Sequence, residues 1–244
     1  MTRTARLALF AVGAAGLAAL LVTGVAGLPD FGHYRGPYGD VLNQVAVGER
    51  HATSVVAAVV YDYRGFDTMG EELILFCSVL GVALLLREHR EGRARRDDPV
   101  RSDALRFFGL GAVAPTLLIG LVVIAYGYVS PGGGFQGGVI AGSAALLVWG
   151  AGSYAAFQHV TPESLVDLAE AVAAAGFVLI GVAGLVATGV AFENFLPLGT
   201  PGTLVSAGQI PLLNWAAGLE VAAAMTLLFA EFLEDVMIRE GDGS

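Results

Sequence analysis

YDYRGFDTMGEE, residues Tyr61 to Glu72, leads straight into the apolar stretch Leu73–Leu86. It places five charged side chains, Asp62, Arg64, Asp67, Glu71 and Glu72, where a helix enters a long apolar run. Charge at such a place is costly unless it is paired or hydrated. Two readings follow. In one, these groups build a polar site that handles ions. In the other they start a helix: Thr68-Met69-Gly70-Glu71 fits a capping box with Thr68 as N-cap and Glu71 at the third helical position. Asp67, Glu71 and Glu72 would complement the positive end of the helix, and Arg64 can pair with Asp62 or Asp67. One box uses one carboxylate, which leaves Asp62, Asp67 and Glu72 without a role.

The rest of the chain says what kind of helix this is. The 244 residues are 55% hydrophobic and 14% charged, with mean hydropathy +0.69, against about 25% charge in a soluble domain. Several apolar runs reach the ~20 residues needed to cross a bilayer. A helix satisfies its own backbone polar groups in lipid. The expected fold class is therefore an all-α integral membrane protein of about six transmembrane helices, surrounded by membrane lipid. Thirty-four glycines lie largely within the apolar runs and suit close helix packing.

The first span is expected over Leu7–Leu28, behind Arg3 and Arg6. Its core is longer than the ~7–15 residues of a signal peptide, so it reads as a retained helix. From Pro29 to Tyr61 the chain is polar and Gly-rich, apart from Val55–Val60. That patch is too short to span and belongs at the interface or against a partner. The second span is Met69–Leu86. An arginine-rich connector, Arg87–Arg106, follows, and four further spans are expected at Phe107–Val129, Val139–Phe157, Leu168–Ala191 and Ile210–Leu233. The organisation is then a two-helix segment (1–90), a linker (91–106) and a four-helix domain (107–244).

Six spans put both termini and the connector on one side, with ten of the thirteen arginines. Only Arg35, Arg50 and Arg64 fall on the other. The positive-inside rule makes the arginine-rich side cytoplasmic and explains the connector without nucleic acid. The net charge of −9 reflects acids at span ends and in the tail.

Several chemistries are excluded. Cys77 stands alone, which rules out a CxxC pair, and is expected to be a small packing residue. His33, His51, His89 and His159 have no metal-ligand spacing, so neither metal nor cofactor is expected. In SPGGGFQGGVIAG (Ser130–Gly142), Gly132, Gly134 and Gly137 formally satisfy GxGxxG, but apolar helical runs flank it where a nucleotide site needs a preceding strand. The physical reading is a tight turn at Pro131, Gly132 and Gly133, followed through Gly134, Phe135, Gly137 and Gly138 by close helix contact. Gly134, Gly138 and Gly142 recur every four residues and mark an assembly surface. Two carboxylates fall in later spans. Glu170 is near a helix start, where it can snorkel to the interface. Glu220 stands about ten residues into its span, where it must be protonated, partnered or water-lined.

These stretches resemble a known family. Residues 107–233 resemble the B-type (MnhB) chain of the Mrp-type (Mnh, Pha) multisubunit cation/proton antiporters, through PGGGFQGG, FENFLPLG (Phe192–Gly199) and SAGQIPLLNWAAGLEVAAAMTLLF (Ser206–Phe229). Residues 31–87 resemble the last segment of the large A-type chain of the same antiporters, through HYRGPYGDVLNQV and VVYDYRGFDTMGEELILF; a similar module is a small subunit of membrane-bound hydrogenases. The chain thus looks like a fusion of two subunits. The resemblance implies an accessory, non-enzymatic subunit of the prokaryotic cell membrane. It implies as partners large proton-channel subunits and small membrane subunits, with Na+ and H+ as the ions moved. It maps the acid of the DTxGE motif onto Glu71. Glu72 departs from the pattern by adding a second acid.

Coupled transport needs an embedded acid whose protonation competes with cation binding. The candidates are Asp62, Asp67, Glu71, Glu72 and Glu220, with Arg64 and Thr68 in support. Glu71 and Glu72 point about 100° apart on a helix, so they are not expected to face one path together. The resemblance puts Glu71 on it.

Overall fold

Apolar runs become helices because lipid offers the backbone no hydrogen-bond partners. The computed structural model describes residues 3–28, 36–87 and 102–241. Its helices are α1 (Arg3–Ala26), α2 (Pro37–Arg50), α3 (Val55–Ala58), α4 (Gly65–Arg87), α5 (Asp103–Ala125), α6 (Gly134–Ala151), α7 (Tyr154–Val160), α8 (Glu163–Thr188) and α9 (Ile210–Gly241). Among the described residues, α1, α4, α5, α6, α8 and α9 are the six long and apolar enough to cross a membrane. The expected all-α, six-span architecture is what the chain adopts. Most of the arginine-rich connector, residues 88–101, lies outside the described residues, as do His33 and His89.

The chain forms two compact units, Met1–Val41 and Leu42–Ser244. In the first, α1 buries none of its residues. In the second, α9 forms the axis. Ile210, Leu213, Ala217, Val221, Ala224 and Leu227 form its buried stripe at helical spacing.

Close packing rests on glycine. A Cβ at Gly134 would stand 2.8 Å from that of Ala217, and one at Gly138 would stand 2.7 Å from that of Val221; both residues belong to α9. Gly142 is less tight, with Met225 Cβ at 3.2 Å. The expected four-residue glycine stripe exists, but the backbone it admits belongs to this chain's own α9. It is not an assembly surface. Gly137 turns the other way, towards Ile124 and the Gly120 carbonyl on α5.

Three connections meet at one end of the bundle, where α4, α6 and α9 begin and α5 and α8 end. Ser54 N–H donates to the Tyr128 carbonyl at 3.1 Å. The Tyr128 hydroxyl donates to the Leu204 carbonyl at 2.6 Å, and His51 Nδ1 lies 2.6 Å from the Gly199 carbonyl. The apolar patch expected to sit at an interface or on a partner is α3 and the start of a π-helical turn, Val59–Tyr63, within this cap. Ala57, Ala58 and Tyr61 are buried there.

Candidate functional site

The helix after the quoted stretch starts earlier than its capping pattern indicates. α4 begins at Gly65, so Thr68 lies inside the helix and the Thr68–Glu71 capping box does not form. The Thr68 hydroxyl instead donates to the Val60 carbonyl at 2.6 Å, tying the first turn of α4 to the π-turn. Glycine at that first position leaves room for a neighbour. A Cβ at Gly65 would stand 2.8 Å from that of Phe192, whose ring occupies the space beside it.

The frame of α4 decides which acid turns inward. Thr68, Glu72, Val79 and Ala83 are buried. They follow one another at three- or four-residue multiples on one face, while Glu71 stands exposed beside them. The residue expected to face the path was Glu71; the residue that faces the core is Glu72.

Glu72 meets Glu220 of α9. Both side chains are buried, at 1% and 0% exposure, and their carboxyl groups lie within hydrogen-bonding reach of each other. Among the described residues no other donor reaches any of their four oxygens. Two ionised carboxylates are acceptors only, so a hydrogen bond between them requires a proton on at least one. The pair is thus two buried acids placed to share a proton.

The other charged residues of the stretch have separate places. Asp67 pairs with Arg64, and both side chains are about half exposed. Asp62 is buried and pairs with Arg50, Nε to Oδ1 at 2.7 Å. The sequence suggested Arg64 for either partner; it takes Asp67, and Arg50 takes Asp62. Burial pushes the Asp62 carboxyl above its usual range, with Arg50 working against the shift. Arg50 also lies over the Tyr63 ring, 4.8 Å from its centroid, and the Tyr63 hydroxyl donates to Glu49 at 2.6 Å. Burial and that bond push the Tyr63 hydroxyl up to about 12.

Glu71 is not idle. With Tyr61, Phe135, Gln136, Gly132 and Gly133 it lines a cavity of about 170 Å³. Gly132 and Gly133 take φ of +156° and +147°, a region that favours glycine and brings the backbone to the start of α6. Pro131 is exposed at the head of this turn.

Sequence reasoning missed two amides. Asn214 on α9 donates to the Ile124 carbonyl and accepts from Gly134 N–H at 2.7 Å, joining α5, α6 and α9. Gln209 donates to the Phe192 carbonyl. Both are fully buried. A signal was present: Gln209, Glu220 and Glu231 recur every eleven residues, about three helical turns, and all three are buried. Glu170, expected to snorkel, is also buried. Cys77, expected to be a small packing residue, is exposed on α4 in this chain.

The comparisons agree with this architecture. Residues 105–227, half of the chain, match a family described as a domain related to the MnhB subunit of the Na+/H+ antiporter. An uncharacterised protein of Methanocaldococcus jannaschii is 30% identical over 82% of this chain and 84% of its own length. A chain of the membrane-bound sulfane sulfur reductase, an archaeal respiratory membrane complex, is similar with TM-score 0.72 and 27% identity, covering 95% of this chain and 98% of that one. A chain of the Mrp complex of Dietzia sp. DQ12-45-1b has the same fold with TM-score 0.72 and 24% identity; the match covers 96% of this chain but 26% of that chain. On the family match and the shared fold together, the chain belongs to the family related to the MnhB subunit of Na+/H+ antiporters.

Proposed function

We propose that this chain is an accessory subunit of a multisubunit monovalent cation (Na+)/proton antiporter, and that it supplies part of the cation-side path. The other subunits of the complex, large proton-channel chains and small membrane chains, are its partners. In this reading residues 31–87 do the work of the end of a large A-type chain, fused to a B-type domain. Both termini are cytoplasmic.

One observation carries the reading: Glu72 and Glu220, two acids buried between two spans with their carboxyls placed to share a proton. A monovalent cation has the charge of that proton and can replace it without changing the charge of the site. Binding of one then excludes the other, which is the elementary requirement for exchange. Glu71 lies at the cavity outside the pair, and the Asp67–Arg64 pair is exposed at the start of α4. Asp62 belongs to the same cap but is neutralised by Arg50.

A second reading is favoured by the match that covers nearly all of both chains, the one to the sulfane sulfur reductase complex. There the chain would serve the membrane arm of an ion-pumping complex driven by electron transfer. The chains that copurify separate the two, because the second requires subunits carrying metal clusters.

The site is tested in the intact complex with Glu72→Gln and Glu220→Gln. Each keeps the shape of the side chain but cannot exchange a proton. Sodium-driven proton flux in vesicles is expected to fall at least tenfold in each variant at unchanged abundance of the complex. Wild-type flux in both would remove the pair from the path.

A further inference from the structure

Glu72 and Glu220 are closed in, at 1% and 0% exposure, so an ion reaches them only where the packing around them gives way. The helices that carry them, α4 and α9, both run away from the cap. The next residues on their inward faces are apolar: Leu75 and Val79 follow Glu72, and Ala224 and Leu227 follow Glu220. These side chains meet. Val79, Ala224 and Leu227 pack as one buried cluster, with Leu75 and with Val166 of α8 against it. The layer begins one turn past the acids, and Leu227 stands about 10 Å beyond Glu220 along the helix axis.

The far side of this layer is polar. Leu227 and Val166 also form part of the wall of a cavity of about 120 Å³ between α7, α8 and α9, at the end of the bundle opposite the cap. Thr226 and Glu231 of α9, Thr161 after α7 and Glu163 of α8 line it as well. Glu231 is 3% exposed; it lies on the same face of α9 as Glu220 and about 16 Å further along, since eleven residues make about three turns. Glu163 is exposed, so one carboxylate of the cavity is accessible and the other is shielded. The Thr226 hydroxyl donates to the Ala222 carbonyl at 2.7 Å, and the Thr161 hydroxyl to the Phe157 carbonyl at 2.7 Å. Both oxygens are left with lone pairs only. Among the described residues that line the cavity, none carries positive charge. The space holds several water molecules, since one needs only about 10–15 Å³. Carboxylates and accepting oxygens without a fixed cation suit a hydrated monovalent cation.

We propose that this cavity is a vestibule for a hydrated monovalent cation, leading to the Glu72–Glu220 pair from the end opposite the cap, and that the Val79–Ala224–Leu227 layer is the closed gate between them. The inference rests on the reading of that pair as the exchange site. Exchange needs approaches from both sides of the membrane, and the cavity at Glu71 lies on the cap side only. An apolar constriction excludes ions by staying dry. Leu227 and Val166 belong both to the layer and to the cavity wall, so their displacement joins the vestibule to the pair directly.

The test uses the intact complex in vesicles, in a Cys77→Ala background, with labelling of this chain read by mass. Thr226→Cys is expected to react with a small cationic methanethiosulfonate applied on the side opposite the cap. The reaction should be about fivefold faster than with an anionic reagent of similar size, because the lining acids draw cations in. Ala224→Cys, in the layer, is expected to stay unlabelled and to become labelled once Leu227→Ala is added. No labelling of Thr226→Cys, rates indifferent to the charge of the reagent, or labelling of Ala224→Cys as fast as Thr226→Cys with Leu227 intact overturns the proposal. Should either cysteine variant lower the abundance of the complex, Glu231→Gln carries the test. The sodium concentration for half-maximal flux is then expected to rise about threefold, and an unmoved value overturns the vestibule. The controls keep two failures apart. If Glu72→Gln and Glu220→Gln retain flux, the exchange site itself is wrong; if they lose flux and Thr226→Cys does not label, only the vestibule is.

Discussion

Arg50 is the residue on which the cap's electrostatics turn. It balances a buried carboxylate, Asp62, and covers the Tyr63 ring. Removing one partner of a fully buried pair costs about 3–5 kcal/mol. Arg50 is 26% exposed, so Arg50→Ala is expected to cost less, about 2–3 kcal/mol, read as a lowered Tm of the purified complex. The sign with pH follows from Asp62. Its carboxyl is held above the ordinary value of 3.8, so the fold favours its protonated form. Stability tied to this group is present at acid pH and is lost as pH rises past that value. Without Arg50 the carboxylate loses its counter-charge, and the deficit in Tm should shrink as pH is lowered from 8 towards 5. An equal deficit at both ends would mean that Arg50 acts through packing alone. Charge at the head of α4 was legible in the sequence, and so was a carboxylate deep in the last span, Glu220. The choice between Glu71 and Glu72 was not. Adjacent residues differ by one helical step, and the inward face is set by where α9 and Phe192 sit, which no local pattern encodes.

The same limit appears at the scale of elements. Hydropathy sufficed to find all six spans, because length and apolarity are properties of a segment taken alone. It did not find that α4 starts at Gly65, nor that this glycine packs against the Phe192 ring from a loop more than a hundred residues away. Nor did it show that the Gly134, Gly138 and Gly142 stripe faces α9. The stripe nevertheless makes a graded prediction. A methyl at Gly134 or Gly138 would meet α9 below 3 Å, whereas one at Gly142 meets it at 3.2 Å. Overpacking of this kind costs about 1–3 kcal/mol. Gly134→Ala and Gly138→Ala are expected to lower the Tm of the complex clearly, and Gly142→Ala much less. Equal effects at all three would show that α6 and α9 are not in this contact. The pair Glu72–Glu220 depends on the same contact geometry, because α9 is held between α6 and α4.

For the whole molecule the arrangement joins a capped end, where three connections interlock, to a bundle with two acids, Glu72 and Glu220, buried between two of its spans. In the proposed topology, drawn from the arginine distribution, that cap lies outside the cell. Val205, 80% exposed in the cap, provides the test of orientation: in a Cys77→Ala background, Val205→Cys should react with an impermeant thiol reagent added to intact cells. Reaction confined to inverted vesicles would reverse the topology. The central claim is that a cation and a proton compete for the Glu72–Glu220 pair, and infrared difference spectroscopy on the purified complex measures this directly. Adding sodium at constant pH should remove one protonated-carboxyl band, and that loss should be absent from both Glu72→Gln and Glu220→Gln. A band that sodium leaves unchanged, or that sodium still removes in both variants, would contradict the account.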